Sequence, residues 1–151
     1  MKAVVQRVEY ASLKIDGEIF SYINKGYMVL LGVAHDDDEQ TAKSLASKIC
    51  NLRVMADSER KMNLDLNNSG GELMIVSQFT LLASLKKGNR PSFTEAMAPE
   101  SAKDLYEFFL NECKSILGEQ KVKSGVFGAD MKIELLNDGP VTLIYDTKNL
   151  T

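Results

Sequence analysis

Histidine occurs once in this 151-residue chain, at His35, and tryptophan is missing altogether. One histidine, two cysteines and no Cys-x-x-Cys spacing leave no usual ligand set for zinc, so no metal centre is expected. No cofactor motif stands in its place. His35 beside Asp36 does not read as part of a triad, because adjacent residues rarely face each other. Asp36-Asp37-Asp38 is better read as the start of a helix. Cys50 and Cys113 lie far apart in the sequence, each within a helical pattern, and read as buried structural thiols of a reducing compartment. No apolar run is long enough to span a bilayer. The start, Met1-Lys2-Ala3-Val4-Val5, enters a strand-like segment without a secretory pattern. A cytoplasmic protein with no membrane partner is expected. The formal net charge of −3 argues against a generally basic, nucleic-acid-coating surface.

The length fits one domain, residues 1–151, able to bury a core without metal or disulfide support. Val4, Val5, Val8, Leu13 and Ile15 alternate loosely as a strand, interrupted by Arg7. Asp16-Gly17 is a two-residue hairpin signal before Glu18-Ile19-Phe20. Tyr27 to Val33 is almost wholly apolar and reads as a central strand. Ala42, Leu45, Ala46, Ile49 and Leu52 recur at helical spacing, as do Ala102, Leu105, Tyr106, Phe109, Cys113, Ile116 and Leu117. Pro99 suits the first turn of that second helix and Gly118 its end. A strand is expected over Arg53–Ala56, an irregular stretch over Met62–Gly71, and one strand over Glu72–Leu82. Met131, Ile133 and Leu135 alternate with charged residues, and Asn137-Asp138-Gly139-Pro140 reads as a hairpin turn into Val141–Tyr145. The fold class is α+β: barrel-like antiparallel or mixed sheets with two amphipathic helices packed outside.

Three stretches carry candidate chemistry. Ser77-Gln78-Phe79-Thr80 places polar groups at the mouth of a buried strand, where they need partners in the fold or in a ligand. Asn137-Asp138-Gly139-Pro140 is either an ordinary turn or a site for a cis X–Pro bond. Lys86-Lys87-Gly88-Asn89-Arg90 is the one dense cationic cluster, either a solvated loop or a phosphate-binding patch. Ser124-Gly125-Val126-Phe127-Gly128-Ala129-Asp130 is glycine-rich but lacks the order and the Lys-Ser/Thr of a phosphate loop.

Taken together, these stretches resemble the D-aminoacyl-tRNA deacylases, also known as D-tyrosyl-tRNA deacylases. The resemblance spans essentially the whole chain. It rests on Ala3-Val4-Val5-Gln6-Arg7-Val8, Ser77-Gln78-Phe79-Thr80-Leu81, Lys87–Phe93, Phe127-Gly128-Ala129-Asp130-Met131 and Asn137-Asp138-Gly139-Pro140-Val141-Thr142. The ordered pair Ser-Gln-x-x-Thr and Asn-x-Gly-Pro-x-Thr is its signature. Leu82 stands where relatives often carry an aromatic residue.

The resemblance implies hydrolysis of the ester between a D-amino acid, or glycine, and the terminal adenosine of tRNA. It implies a homodimer in which Gly139 and Pro140 reach the partner's site and exclude L-substrates. Arg7 would steady that turn, with Asn137 and Thr142 flanking it. Ser77 and Gln78 would shape the pocket and bind the amino group or ribose, Ala102 would line it, and Phe127 and Met131 would lie near the adenosine. Two chemical routes stay open. Thr80 could act as a covalent nucleophile, although no histidine base accompanies it. Alternatively, backbone N–H groups of Phe79 and Thr80 hold the carbonyl while the ribose 2′-hydroxyl helps activate water; the resemblance favours this route. Lys86, Lys87 and Arg90 would meet tRNA phosphates.

Overall fold

The computed structural model of the chain describes residues 1–149. Its longest-paired strand is β1, Lys2–Ile15. One edge of β1 takes two partners in succession. β3 (Gly26–Gly32) lies antiparallel to Lys2–Val8, and β2 (Glu18–Ile23) lies antiparallel to Ala11–Ile15. The other edge is covered along almost its whole length by β8, Lys132–Asp146. Beyond β3 follow β6 (Glu72–Ser77) and β7 (Val122–Ser124), both parallel to it. This mixed sheet curls towards a barrel. Helices α1 (Glu39–Cys50) and α3 (Pro99–Leu117) pack together outside it. The β1–β2 hairpin turns at Asp16 and Gly17, both at positive φ (51° and 82°), as a tight two-residue turn between twisted strands requires.

Alternation along the strands sorts side chains into two cores. Tyr27, Val29 and Leu31 of β3 and Leu73 and Ile75 of β6 face the helices. Met28 of β3 and Met74 and Val76 of β6 face the opposite way, with Val8, Ala11, Leu13 and Ile23. The register of β1 against β8 shifts between Val8 and Tyr10. That extra residue reverses the alternation, so odd-numbered Ala3 and Val5 face the helices while Ala11 and Leu13 join the second core. Two buried tyrosine hydroxyls are paired: Tyr27 donates to the Leu52 carbonyl and Tyr106 to the Ile75 carbonyl, each at 2.8 Å. Cys50 of α1 and Cys113 of α3 are both buried and free. Contact with the Cys50 thiol, together with burial, holds Cys113 protonated far above the ordinary thiol range.

The helix starts follow the sequence. Asp38 caps α1 by accepting from the Thr41 N–H at 2.8 Å, and Pro99 opens α3. Four expectations need correction. The Glu72–Leu82 strand stops at Ser77: the Gln78 N–H bonds to the Leu31 carbonyl at 2.7 Å, β3 then ends, and Phe79–Leu82 winds into a 3₁₀ turn. The strand over Arg53–Ala56 is reduced to β4, Met55–Ala56, because the Val54 carbonyl is taken by Arg7 at 2.6 Å. Met62–Gly71 is not irregular. It holds β5 (Met62–Leu64) and a single helical turn, α2 (Leu66–Ser69), capped by Asp65. Finally, Asn137–Pro140 is not a hairpin. The segments on either side both pair with β1, Thr142 opposite Gln6 and Asn137 opposite Val8. A long continuous β1 offers a ladder to each, so they have no need to pair with one another. The four residues Asp138–Val141 therefore bulge out opposite the single residue Arg7.

Candidate active site

Parallel strands set one end of this site. β3, β6 and β7 run in the same direction, and Ser77-Gln78-Phe79-Thr80 leaves the carboxyl end of β6. Ser77 is level with Leu31, and through it with Ala3 and Tyr145. The Gln78 amide donates to the Thr80 hydroxyl oxygen, tying the turn across its own backbone. As the first residues of a 3₁₀ turn, Phe79 and Thr80 have N–H groups with no partner earlier in the turn. Both residues are exposed. The Phe79 ring meets Phe93 edge-on at 5.0 Å. Phe93 follows a small hairpin closed by reciprocal Ser84–Ser92 backbone bonds of 2.8 and 3.0 Å, with Lys86, Lys87 and Arg90 in its loop.

Other expected residues converge on the same end. After Ser124, which pairs with Ile75, the chain passes into Gly125–Met131 beside the exit of β6. Phe127 leans on Tyr106 at 5.9 Å between ring centres and packs against the helix-side core. Met131 packs against the second core, and a Cβ on Gly125 would stand 2.4 Å from its sulfur. Ala102 lies one helical turn before Tyr106 on the same face, 6% exposed and within the helix-side core.

Arg7, Asn137, Gly139, Pro140 and Thr142 lie elsewhere. Arg7 sits on the helix-facing side of β1, its side chain 12% exposed. It donates to the Val54 carbonyl at 2.6 Å and the Asp138 carbonyl at 3.2 Å, and pairs with the Asp138 carboxylate at 3.1 Å. The Gly139–Pro140 peptide is cis, and Gly139 adopts φ 123°. A Cβ there would lie 2.9 Å from the Arg7 guanidinium and 2.8 Å from a Val141 methyl, so only glycine fits without a shift. Arg7 is level with Tyr27 and hence Leu73, four residues below Ser77. From Ser77, the Gly–Pro bulge is therefore about 13 Å along the strands and, three strands away, about 14 Å across the sheet. One chain does not bring the two motifs together.

His35 faces two carboxylates, Asp36 at 3.8 Å and Glu95 at 3.6 Å, rather than any hydroxyl of the motif. Among the described residues, no group of three His, Cys, Asp or Glu side chains is arranged to hold a metal ion. No described helix is long and apolar enough to cross a membrane. The partnership of Phe79 with Phe93 and the bond of Arg7 to the Val54 carbonyl are absent from the sequence reading, which expected Arg7 only to steady the Gly–Pro turn. The Arg-Pro-Ser-Phe run and the odd arginine among strand residues were the available signals.

The family model for D-Tyr-tRNA(Tyr) deacylase matches residues 4–146. A protein of Fusobacterium nucleatum named D-aminoacyl-tRNA deacylase is 52% identical over 149 residues, covering 99% of this chain and 97% of its own. One of the same name from Sulfurihydrogenibium sp. is 52% identical over 150 residues, covering 99% of this chain and 100% of its own. Among solved structures, a c-Myc DNA unwinding element binding protein superposes with a TM-score of 0.92 at 40% identity, over 97% of this chain and 98% of its own. A probable eukaryotic D-amino acid tRNA deacylase, 16% identical with a TM-score of 0.83 over 95% of this chain and 97% of its own, shares the fold. With a match over nearly its whole length and relatives at half identity, this chain belongs to the D-Tyr-tRNA(Tyr) deacylase family.

Proposed function

We propose that this protein hydrolyses the ester of D-aminoacyl-tRNA, and of glycyl-tRNA, in the cytoplasm, and spares L-aminoacyl-tRNA. The observation that carries this reading is the separation of the two motifs by strand register. In a two-fold dimer, each chain's exposed Gly139–Pro140 bulge would enter the partner's Ser77–Thr80 end, which completes two sites at once. Rigid backbone at that position would block the space an L side chain needs. It would admit D side chains and glycine without gripping them.

The chemistry is addition of water to the ester carbonyl, collapse of the tetrahedral intermediate, and departure of the terminal ribose hydroxyl. The N–H groups of Phe79 and Thr80, which begin the 3₁₀ turn, would hold the oxyanion. The Thr80 hydroxyl already accepts from Gln78, and the one histidine is engaged with carboxylates. These two facts favour the ribose 2′-hydroxyl over Thr80 as the group that helps activate water. Ser77 and Gln78 shape the pocket, Ala102 supports it, and Phe127 and Met131 flank the adenosine. Arg7, Asn137 and Thr142 hold the bulge. Lys86, Lys87 and Arg90 meet tRNA phosphates.

The test is hydrolysis of D-tyrosyl-, glycyl- and L-tyrosyl-tRNA. Turnover of the first two and little of the third is expected, with no effect of chelators. A protein that binds tRNA and turns over none of them would be a binding module on the same fold.

A further inference from the structure

Beyond the end of the sheet that carries Ser77 lies a cavity of about 740 Å³. It begins at Leu82 and Ala83, directly after the motif turn, and runs past Ala34 to Lys2 and Asp146. The register explains this continuity: Lys2 pairs with both Gly32 and Asp146, one step beyond the Ala3–Leu31–Ser77 row. Five cationic side chains line the cavity: Lys2, Lys86, Lys87, Arg90 and Lys148. Two carboxylates, Glu95 and Asp146, face them. Asp146 accepts from the Lys148 N–H and the Asn149 amide, and Glu95 lies with His35 and Lys148. Lys148 itself is spent on Asp36 at 3.1 Å. Among the described residues, Lys2, Lys86, Lys87 and Arg90 form no ion pair. On a chain of net charge −3, five cations against two carboxylates leave an excess of positive charge beside the motif turn.

We infer that this cavity is the seat of the RNA backbone just before the terminal adenosine, and that Lys2 is one of its phosphate-binding residues. The assignment rests on the proposed tRNA substrate and extends it. Lys86, Lys87 and Arg90 reach the strand from the hairpin side, and Lys2 reaches it from the sheet. The path of the RNA is thus set across two elements that the sequence separates by more than eighty residues. The hairpin is held against the motif turn by the Phe79–Phe93 contact, so phosphate binding there would orient the ester towards Ser77–Thr80.

The test measures affinity for deacylated tRNA over a range of salt concentrations, with Lys2→Gln, Lys2→Met and, as a control on the outer face of α1, Lys43→Gln. Removal of one phosphate contact should reduce the log–log salt slope by about 0.7, the value for a single strand. Lys2→Gln and Lys2→Met should both do so and weaken binding several-fold, with Lys43→Gln unchanged and Lys2→Arg close to the original. In turnover, KM should rise while kcat holds. Slopes for both Lys2 variants equal to that of Lys43→Gln would overturn the assignment. So would binding of inorganic phosphate that depends on Lys2 while tRNA binding does not. A protein with a Lys2-dependent slope and no deacylation would refute the proposed activity and leave the cavity assignment standing. Deacylation with KM and slope indifferent to Lys2 would do the reverse.

Discussion

Arg7 holds Asp138 twice, through its backbone carbonyl at 3.2 Å and its carboxylate at 3.1 Å, from the one position in β1 that faces the bulge of β8. A third bond, to the Val54 carbonyl, anchors the same guanidinium to the segment before β4. The side chain is largely buried, so its charge is matched by oxygen rather than by water. Hydrogen bonds to charged groups contribute about 1.5–3 kcal/mol each, so Arg7→Met should lower the melting temperature and cut kcat/KM on D-tyrosyl-tRNA by about tenfold or more. Discrimination against L-tyrosyl-tRNA should fall with it. An Arg7→Met protein with normal melting and normal stereoselectivity would separate Arg7 from the bulge.

Gly139→Ala introduces a Cβ 2.9 Å from that guanidinium, at a backbone angle that L side chains rarely adopt. Strain of this kind costs about 1–3 kcal/mol, enough for a roughly tenfold or larger loss of activity. The exposed bulge should let the fold survive, as circular dichroism would show. Mixing Gly139→Ala with Gln78→Ala offers a direct reading of the trans arrangement. Each hybrid dimer has one site with both lesions and one with neither, so an equal mixture should recover about a quarter of the original activity. Mixtures that never exceed the parent variants would place both motifs in one chain's site, or in none.

Thr80→Ala removes the hydroxyl that accepts from Gln78 but leaves the backbone N–H groups in place. A modest loss is expected, on the order of one neutral hydrogen bond or about 0.5–1.5 kcal/mol. tRNA ending in 2′-deoxyadenosine should lose much more. The reverse pattern, with Thr80→Ala inactive though folded and the deoxy substrate cleaved, would assign the chemistry to the threonine.

Burial pushes the Tyr27 hydroxyl up to about 12, and it drives Tyr106 upwards as well. Both groups are neutral when protonated, and in the unfolded chain they ionise near pH 10. Below pH 10 the two states carry the same protons, and no stability is lost. Above it the unfolded chain releases protons that the folded chain retains, so stability should fall as pH rises from about 10 towards 12. Melting temperatures across that range, compared with Tyr27→Phe, provide the check. The variant should be less stable at pH 8, because the Leu52 carbonyl loses its donor, and its alkaline decline should be shallower.

Local rules were sufficient for much of this molecule. Asp16-Gly17 dictates its hairpin because both positions need positive φ. Asp38 and Pro99 start their helices because capping and proline geometry act within a few residues. The continuous apolar runs of β3 and β6 mark strands buried on both faces, because side chains on a strand point to opposite sides. The family signature was legible as well, since it depends on residue identity and order. What neighbouring residues could not determine was strand partnership. Asn137–Pro140 has turn chemistry, yet whether it closes a hairpin or bulges from a continuous strand depends on β1, more than a hundred residues away. Gln78 ends β6 because β3 ends beside it, not through any breaker of its own. The distance between Ser77 and Gly139 follows from a register summed over four strands, and so does the row that brings Lys2 to the motif's end of the sheet. Hydrogen-bond ladders between distant segments set those relationships, and a ladder is specified by two strands at once.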